Sequence, residues 1–410
     1  MSKNGFGVIA RYWSVAITAI FALAVSACEA PKEQSGTSAS GIQYSSVLLK
    51  STVLPGAVVK QLETVTGVDS GGGMVTEIVA DSDGLIYVDT FSSAAGIYYD
   101  YDYTTQSTTG GYAGFYSFQI YSGGATLGML APVRYTSEGD FPGGDYLMNL
   151  TNADRAAANV NIWLVKKNDP DFTTGSITVN LFVYTVSGET NPVVSSQDDA
   201  EIIRGYLNNI FAQAGISVGA VNLEFRDDPG AISQMSSMDG LSQFLIAASR
   251  GTEGRTDTGI NCFLMPTLPE GLVGMDGAIP GPGFLHGTGA SGLVTLAASY
   301  GFTAAGYTSH ETDQIYLALT LAHEMGHYLG LYHPSESSGQ EHDPLEDTPE
   351  CGSDNDTDGD GIVSGPECRG KGTEYLMFWT DDNEYISAGT FQTLISPQQG
   401  QVINTHPSAL

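Results

Sequence analysis

The stretch His323-Glu-Met-Gly-His327-Tyr-Leu-Gly330-Leu-Tyr-His333 decides how this chain of 410 residues can fold and what it can bind. Histidines four positions apart lie on the same face of a helix, so His323 and His327 can direct their imidazoles to one ion. Gly330 can take the left-handed conformation that ends a helix, which lets the chain turn and return His333 as a third ligand. Three protein ligands with an open fourth position are typical of catalytic zinc. Glu324 lies beside this face and is the candidate general base.

Strands and helices alternate around this stretch from residue 175 onward. The helix that carries the histidines is predicted from about His310 to Leu329, with a capping box at Thr308-Ser-His-Glu311. A Gly/Pro-rich stretch, Gly271 to Gly292, precedes it. This order predicts an α/β (or α+β) domain over residues 175–410. Its other predicted elements are strands Ser176–Val186, Ala220–Phe225, Gly259–Leu268 and Leu293–Ser299, and a helix Ser196–Ala214 with Ile202, Ile203, Leu207, Ile210 and Phe211 on one face.

Residues 175–410 resemble the metzincin zinc peptidases, and among them the pappalysin branch. The extended histidine pattern is the first point of resemblance. Asp343-Pro-Leu-Glu-Asp347-Thr-Pro-Glu-Cys351 is similar to an acidic segment of that branch that leads to a cysteine. Glu374-Tyr-Leu-Met377-Phe-Trp is similar to the Met-turn, and Ile395-Ser-Pro-Gln-Gln-Gly-Gln-Val402 is similar to the closing helix.

The resemblance implies a zinc metalloendopeptidase that acts on a protein or peptide substrate. Its fold would combine a mixed five-stranded sheet, an active-site helix and a Met-turn. Zn²⁺ would be held by His323, His327 and His333, and Met377 would lie beneath the metal without binding it. Trp379 departs from the pattern, because many relatives have a tyrosine there that can steady the oxyanion. We therefore expect the oxyanion to depend mainly on zinc.

Glu324 would take a proton from a zinc-activated water and pass it to the leaving amine. The substrate would lie extended along an exposed sheet edge, with Gly271 to Gly292 as a candidate rim. His286 and His342 could lie near this site, but an isolated histidine is more often an ordinary surface residue.

An acidic run between residues 354 and 367 matches the pattern of an oxygen-ligand calcium loop. Asp356, Asp358 and Asp360 supply closely spaced carboxylates, the carbonyl of Ile362 can be a ligand, and Glu367 can close the site. Clear flanking helices are missing from the pattern, so it predicts a Ca²⁺-binding loop rather than a paired EF-hand. The alternative interpretation is a solvated acidic loop.

The N-terminal residues 1–27 have the organisation of an export signal. Lys3 and Arg11 precede an apolar run from Trp13 to Val25, and small residues lead to Cys28. This arrangement resembles a bacterial lipobox. It implies a lipoprotein signal peptide, lipidation of Cys28, and an extracytoplasmic protein anchored to a bacterial membrane or cell surface. The alternative is a simple cleavage that releases a soluble secreted protein.

Three cysteines then remain for the folded part of the chain. Thiols pair in an oxidising compartment, and Cys351 and Cys368 are the natural couple because together they close the short acidic loop. Cys262 is distant in sequence and lies beside apolar residues, which indicates a buried thiol. Latency through a cysteine switch is not expected, since no cysteine lies between Cys28 and Cys262.

The first half of the chain has a different composition. Residues 28–42 are predicted to be a flexible tether, and residues 43–170, with short apolar runs separated by Gly-rich turns, an all-β sandwich. The formal net charge of -31 argues against nucleic acid as a partner. The whole chain is thus predicted to be multidomain. The competing hypothesis is a surface adhesin or binding protein whose β domain carries the function.

Overall fold

The structure is a computed structural model that describes residues 33–56, 60–68, 74–84, 86–93, 98–102, 107–110, 119–121, 126–131, 144–186, 188–235, 240–250, 258–269, 271–301, 303–343 and 345–410. The predicted signal peptide, residues 1–27, and the predicted lipidation site Cys28 lie outside the described residues. In the described part, every helix is too short or too polar to span a bilayer.

Strands make up the described chain as far as Asn168. They form two antiparallel sheets, one of six strands in the order β1-β2-β11-β4-β9-β8 and one of five in the order β3-β10-β5-β6-β7. Face-to-face stacking of these sheets as a sandwich stays a prediction. The strands are β1 (Gln34–Thr37), β2 (Gln43–Leu54), β3 (Lys60–Val68), β4 (Met74–Ser82), β5 (Ile86–Ser93), β6 (Tyr98–Asp102), β7 (Ser107–Gly110), β8 (Gln119–Tyr121), β9 (Thr126–Ala131), β10 (Gly144–Asn152) and β11 (Ala158–Asn168).

Strand β1 falls inside the stretch that composition predicts to be a flexible tether. Gln34 pairs with Ser46 and Thr37 with Gln43, so β1 lies antiparallel to β2 at the edge of the six-stranded sheet. An edge strand needs only main-chain donors and acceptors, which small polar residues supply as well as apolar ones. The tether prediction is therefore wrong for Gln34–Thr37.

A third sheet and six helices follow from Gly175 onward in the described residues. The strands are β12 (Gly175–Thr185), β13 (Ile216–Asp227), β14 (Ile260–Met265), β15 (Gly274–Asp276) and β16 (Leu293–Leu296). The helices are α1 (Gln197–Phe211), α2 (Pro229–Gln234), α3 (Leu241–Arg250), α4 (Ser309–Tyr328), α5 (Asn383–Ser387) and α6 (Pro397–Thr405). Short 3₁₀ turns occur at Ala212–Ala214, Ser353–Asn355 and Pro366–Cys368.

The third sheet has the order β13-β12-β14-β16-β15, with four parallel strands and β15 antiparallel at one edge. The predicted mixed five-stranded sheet is confirmed. Successive side chains of β12 point to opposite faces of the sheet, so this strand contributes to two separate layers of the core. Val179 and Leu181 face helices α1 and α4, whereas Phe182 and Tyr184 pack with Phe244 of α3.

Helix α4 begins where the sequence predicts a capping box. The Thr308 side chain accepts from Glu311 N, and the Glu311 carboxylate accepts in return from Thr308 N at 2.8 Å. The helix is buried along most of its length and lies against α1, β15 and β16. This packing sets the histidine-bearing end of α4 beside the antiparallel edge of the sheet.

Candidate metal centre

The three predicted histidine ligands converge. Nε2 of His333 lies 3.2 Å from Nε2 of His323 and 3.0 Å from Nε2 of His327. The chain returns His333 because a left-handed Gly330, with φ of 105°, follows the end of α4, and Leu331 N donates to Gly326 O at 2.9 Å. This is the turn that the sequence predicts.

The opposite nitrogen of each imidazole is held by an oxygen acceptor. Nδ1 of His323 donates to Leu376 O and Nδ1 of His327 to Leu331 O, both at 2.8 Å. Nδ1 of His333 donates to Glu336 Oε1 at 3.0 Å. Because a carbonyl only accepts, the first two rings must carry hydrogen on Nδ1, and in the neutral tautomer Nε2 is a bare lone pair.

Nε2 of His333 lies about 3 Å from both of these lone pairs, and a cation among the three nitrogens would relieve their mutual repulsion. Burial and the neighbouring rings also oppose protonation: they lower the pKa of His323 to about 3 and the pKa of His327 well below its usual value. Neutral imidazoles with acceptors fixed behind them are the donor set that zinc prefers. The triad therefore fits a bound transition metal.

Glu324 lies beside the triad, beneath the edge strand β15. Its carboxylate accepts a hydrogen bond from the backbone N–H of Asp276, and burial raises its pKa well above the usual value. A Cβ on Gly274 would lie 2.5 Å from Glu324 Oε1, so only glycine lets β15 pass this close. The glutamate is thus fixed between the helix and the edge strand.

Asp276 is a functional candidate that the sequence analysis missed. Its carboxyl lines the same cleft, and the buried Oδ2 has no hydrogen-bond partner in the structure. Burial raises the pKa of Asp276 to about 7, although the Ala278 N–H donates to it. No motif contains this residue; a lone acid among the apolar neighbours Met275 and Ile279 was the only signal.

The cleft in front of the triad has a volume of about 510 Å³. It is lined by β15 and the residues around it, and by the chain after Met377, including Trp379. Trp379 donates its indole N–H to Val363 O at 2.9 Å, so this N–H is already used within the protein. Met377 is fully buried, and a Cβ on Gly326 would meet its sulfur.

The other two candidate histidines do not line the cleft. Nδ1 of His286 lies 2.8 Å from the Asn261 amide, and Nδ1 of His342 lies 3.0 Å from Ser335 Oγ. Both rings take part in local structure.

The acidic loop is closed by a disulfide between Cys351 and Cys368, with Cα atoms 5.6 Å apart. Cys262 is a buried free thiol, and burial raises its pKa above the usual range. Both expectations for the cysteines agree with the structure.

Three of the predicted loop ligands come together: Asp356, Asp358 and Glu367 each place a carboxylate oxygen within 4.8 Å of the others. Asp360 is not in this group, and its Oδ1 accepts from Ile362 N at 2.8 Å. The Glu367 carboxylate accepts from Thr357 and Ser364, whose donors lower its pKa to about 2.

No protein-family model and no curated protein matches the chain. Among solved structures it is similar to metalloproteinase-II from Bacteroides fragilis, with 13% identity over 43% of this chain and 54% of that chain and a TM-score of 0.24. A family two carbohydrate esterase from Cellvibrio japonicus has 10% identity over 58% of this chain and 65% of that chain, with a TM-score of 0.14. The chain thus spans about half of the first structure and just under two thirds of the second. Similarities this distant carry no argument about function.

Proposed function

We propose that this protein is a zinc-dependent endopeptidase of the metzincin class, similar to pappalysins, with residues 175–410 as its catalytic part. The observation that carries the proposal is the convergence of three Nε2 atoms next to a buried glutamate at the edge of a sheet. Met377, buried against Gly326, would be the methionine of the Met-turn.

His323, His327 and His333 would hold the zinc. A zinc ion bound to three imidazoles supplies Lewis-acid chemistry, which makes water more acidic and polarises a carbonyl group. Glu324 takes a proton from the attacking water and returns it to the leaving amine. The Asp276 N–H keeps the Glu324 carboxylate in place for both transfers.

The edge of β15 that faces away from β16 is where a protein substrate would bind. A strand at a sheet edge offers its main chain to an extended peptide, and this edge passes directly over Glu324. Trp379, which also lines the cleft, would contact the bound substrate. Because the Trp379 N–H is bonded to Val363 O, oxyanion stabilisation is assigned to the metal rather than to this side chain.

The experiment is zinc analysis combined with cleavage profiling on a peptide library, for the wild type and Glu324→Gln. We expect about one equivalent of zinc in both proteins, cleavage by the wild type, and a loss of at least about 100-fold in the variant because the proton acceptor is removed. A zinc-loaded wild type that cleaves no peptide would overturn the proposal. It would favour the adhesin or binding-protein alternative.

Calcium binding by the loop of Asp356, Asp358 and Glu367 belongs to the same proposal, with Asp360 and Ile362 as further ligands. A bound Ca²⁺ would neutralise neighbouring carboxylates and stabilise the loop that the disulfide closes. Removal of calcium is expected to lower the melting temperature before zinc is lost. Equal melting temperatures with and without calcium would count against the site.

Export and lipid attachment at Cys28 are also proposed, from the sequence alone. Attachment would tether the peptidase to a membrane outside the cytoplasm, and mass spectrometry of the mature N-terminus distinguishes acylated Cys28 from a soluble secreted form.

A further inference from the structure

The segment 277–292, which we call the rim loop, leaves the cleft at β15 and crosses to the N-terminal six-stranded sheet. Gly283 N donates to Glu77 Oε2 of β4 at 2.8 Å, and Gly289 N donates to Thr126 Oγ1 of β9 at 2.8 Å. Strands β4 and β9 are neighbours in that sheet. Both limbs of the rim loop are therefore anchored to the N-terminal half of the chain.

Apolar contacts reinforce these hydrogen bonds. Phe284 and Leu285, at the tip of the rim loop, are each 1% exposed and pack against the face of the sheet. Phe284 has a φ of 38°, a conformation that a bulky side chain adopts only when its surroundings hold it there. The residues of the sheet that contact this tip are Val79, Trp163 and Val165, with Tyr44 and Leu48 at the margin.

The rim loop also contacts the end of helix α4, which carries His323 and His327. Gly281 N donates to Tyr328 O at 2.8 Å, and Tyr328 donates its hydroxyl to Pro282 O at 2.7 Å. His406 Nε2 lies 2.8 Å from Gly281 O and donates to it, because a carbonyl only accepts. Gly281 and Pro282, which contact Tyr328, directly precede Gly283, which contacts Glu77, and Tyr328 directly follows the proposed ligand His327.

The rim loop also starts at the catalytic edge. Asp276 donates its N–H to Glu324, Gly277 N donates to Gly292 O at 3.0 Å, and Ile279 lines the cleft. A shift of the Gly281–Gly283 turn would thus reach both the edge strand above Glu324 and the end of α4.

Glu77 is a charged residue at the joint between the rim loop and the N-terminal six-stranded sheet, and it is fully buried. A buried carboxylate is costly unless its oxygens accept hydrogen bonds, and a polar residue in an otherwise apolar interface fixes the geometry of that interface. An acid on the face of a β-strand is not needed to form the sheet. By accepting a hydrogen bond from Gly283, Glu77 connects strand β4 to the second half of the chain.

We propose that Glu77 is a positioning residue for the metal centre. It holds Gly283, and through the Gly281–Gly283 turn it fixes Tyr328 behind His327 and the edge strand above Glu324. The N-terminal six-stranded sheet is accordingly a part of the active-site framework rather than an independent module. This inference deepens the proposed peptidase function and rests on it.

The test compares Glu77→Gln and Glu77→Ala with the matched control Glu63→Gln in the full-length, zinc-loaded protein. Glu63 is equally buried, but it lies on β3 in the other N-terminal sheet and pairs with Lys50. Two measurements are made on each protein: the kinetics of peptide cleavage, and backbone amide hydrogen exchange of residues 274–283.

For Glu77→Ala we expect a fall in kcat of about 10- to 100-fold with KM changed less than about three-fold, because misplaced catalytic groups slow the chemical step. Glu77→Gln keeps an oxygen that can accept from Gly283 N, so its kcat should fall less. Faster amide exchange in residues 274–283 should accompany it. The Glu63 control should leave both measurements near the wild type. If the Glu77 variants do not fold, Thr126→Val, which removes only the acceptor for Gly289 N, should give the same pattern in weaker form.

Unchanged kcat and unchanged exchange in Glu77→Ala, or equal effects in the Glu63 control, would overturn the inference. Hydrogen exchange distinguishes a failure of the positioning role of Glu77 from a failure of the proposed peptidase function. If the wild type cleaves no peptide but the Glu77 variants exchange faster at residues 274–283, the peptidase proposal fails while the joint stands. If the wild type cleaves and Glu77→Ala behaves like the wild type, only the positioning role fails.

Discussion

At the scale of single residues, the three histidines of the triad differ in what holds them. His323 and His327 donate to backbone carbonyls, whereas His333 donates to the side chain of Glu336, which is 41% exposed. Backbone acceptors cannot be removed by mutation, but Glu336 can. His333 is therefore the candidate ligand whose support can be tested directly.

Glu336→Ala should weaken zinc binding by about ten-fold, the lower end of what loss of a hydrogen-bond partner behind a metal ligand costs. The substitution leaves His333 in place but releases its Nδ1, so the ring loses its fixed orientation. Competition with a zinc chelator measures the affinity. Glu341→Ala, at a nearby exposed carboxylate, is the control, and equal affinities of the two variants would contradict the prediction.

The sequence allowed prediction of those site residues whose spacing along the chain indicates a shared metal. His323, His327 and His333 fall at helical and turn distances that only a convergent arrangement explains, and the structure brings them together. Asp276 could not be predicted in this way, because its proximity to Glu324 arises from the pairing of β15 with β16. Periodicity along the chain carries no information about such a contact.

At the scale of elements, the contact between α4 and the chain at Met377 depends on Gly326, which has no side chain. Gly326 lies within the helix where alanine would normally be favoured, but a Cβ there would meet the Met377 sulfur. Gly205 in α1 has no atom within 4 Å of the corresponding position. The two helical glycines thus provide a matched pair.

Gly326→Ala should lower the free energy of unfolding by up to about 2 kcal/mol, since overpacking costs about 1–3 kcal/mol and helix propensity returns about 1 kcal/mol. Gly205→Ala should raise it by up to about 1 kcal/mol, because only the propensity changes. Urea unfolding of both variants checks the prediction. Stabilisation of similar size at both positions would show that Met377 does not press on the helix.

The predicted bounds of the helices were most accurate where the apolar period and the capping residues indicated the same limits. The predicted helix 310–329 is observed as Ser309–Tyr328, and the predicted helix 196–214 as α1 followed by a 3₁₀ turn, although Ile202 of its predicted apolar face is 45% exposed. Strand β15 was not predicted, because three residues in a glycine-rich stretch have no recognisable period. It is nevertheless the element that covers Glu324.

At the scale of the whole molecule, a buried lysine joins the two halves of the chain. Lys167 of β11 donates its ammonium group to Asn404 O at 2.5 Å and to Ala409 O, and it lies 3.2 Å from Asp169. Burial lowers the pKa of Lys167 to about 8, which outweighs the effect of Asp169. The free energy of unfolding must therefore depend on pH through this residue.

Between about pH 8 and 10.4 the unfolded chain binds more protons at Lys167 than the folded protein, so this residue's contribution to stability rises with pH across that window. Relative to Lys167→Met/Asp169→Asn, the wild type should gain about 3 kcal/mol between pH 7 and pH 10.5. Urea unfolding at both pH values measures the difference. Asp169→Asn alone should retain the gain, and a difference independent of pH would contradict the assignment.

The joint between the halves was beyond sequence reasoning. Composition separated a β-rich first half from an α/β second half, and three sheets are observed in the described residues. Glu77 and Lys167, however, meet partners more than two hundred positions away. Neither residue carries a local pattern that indicates its partner, since both look like ordinary charged positions of a strand.

The packing of Phe284 and Leu285 against the N-terminal sheet also constrains how such a chain can evolve. A gene that lost the segment before residue 175 would encode a protein with this apolar tip in water and with the Gly283 and Gly289 N–H groups deprived of Glu77 and Thr126. Fusion or exchange of the first half with an unrelated module would have the same result. The two halves should therefore be inherited as a unit, and their substitutions at this joint should co-vary.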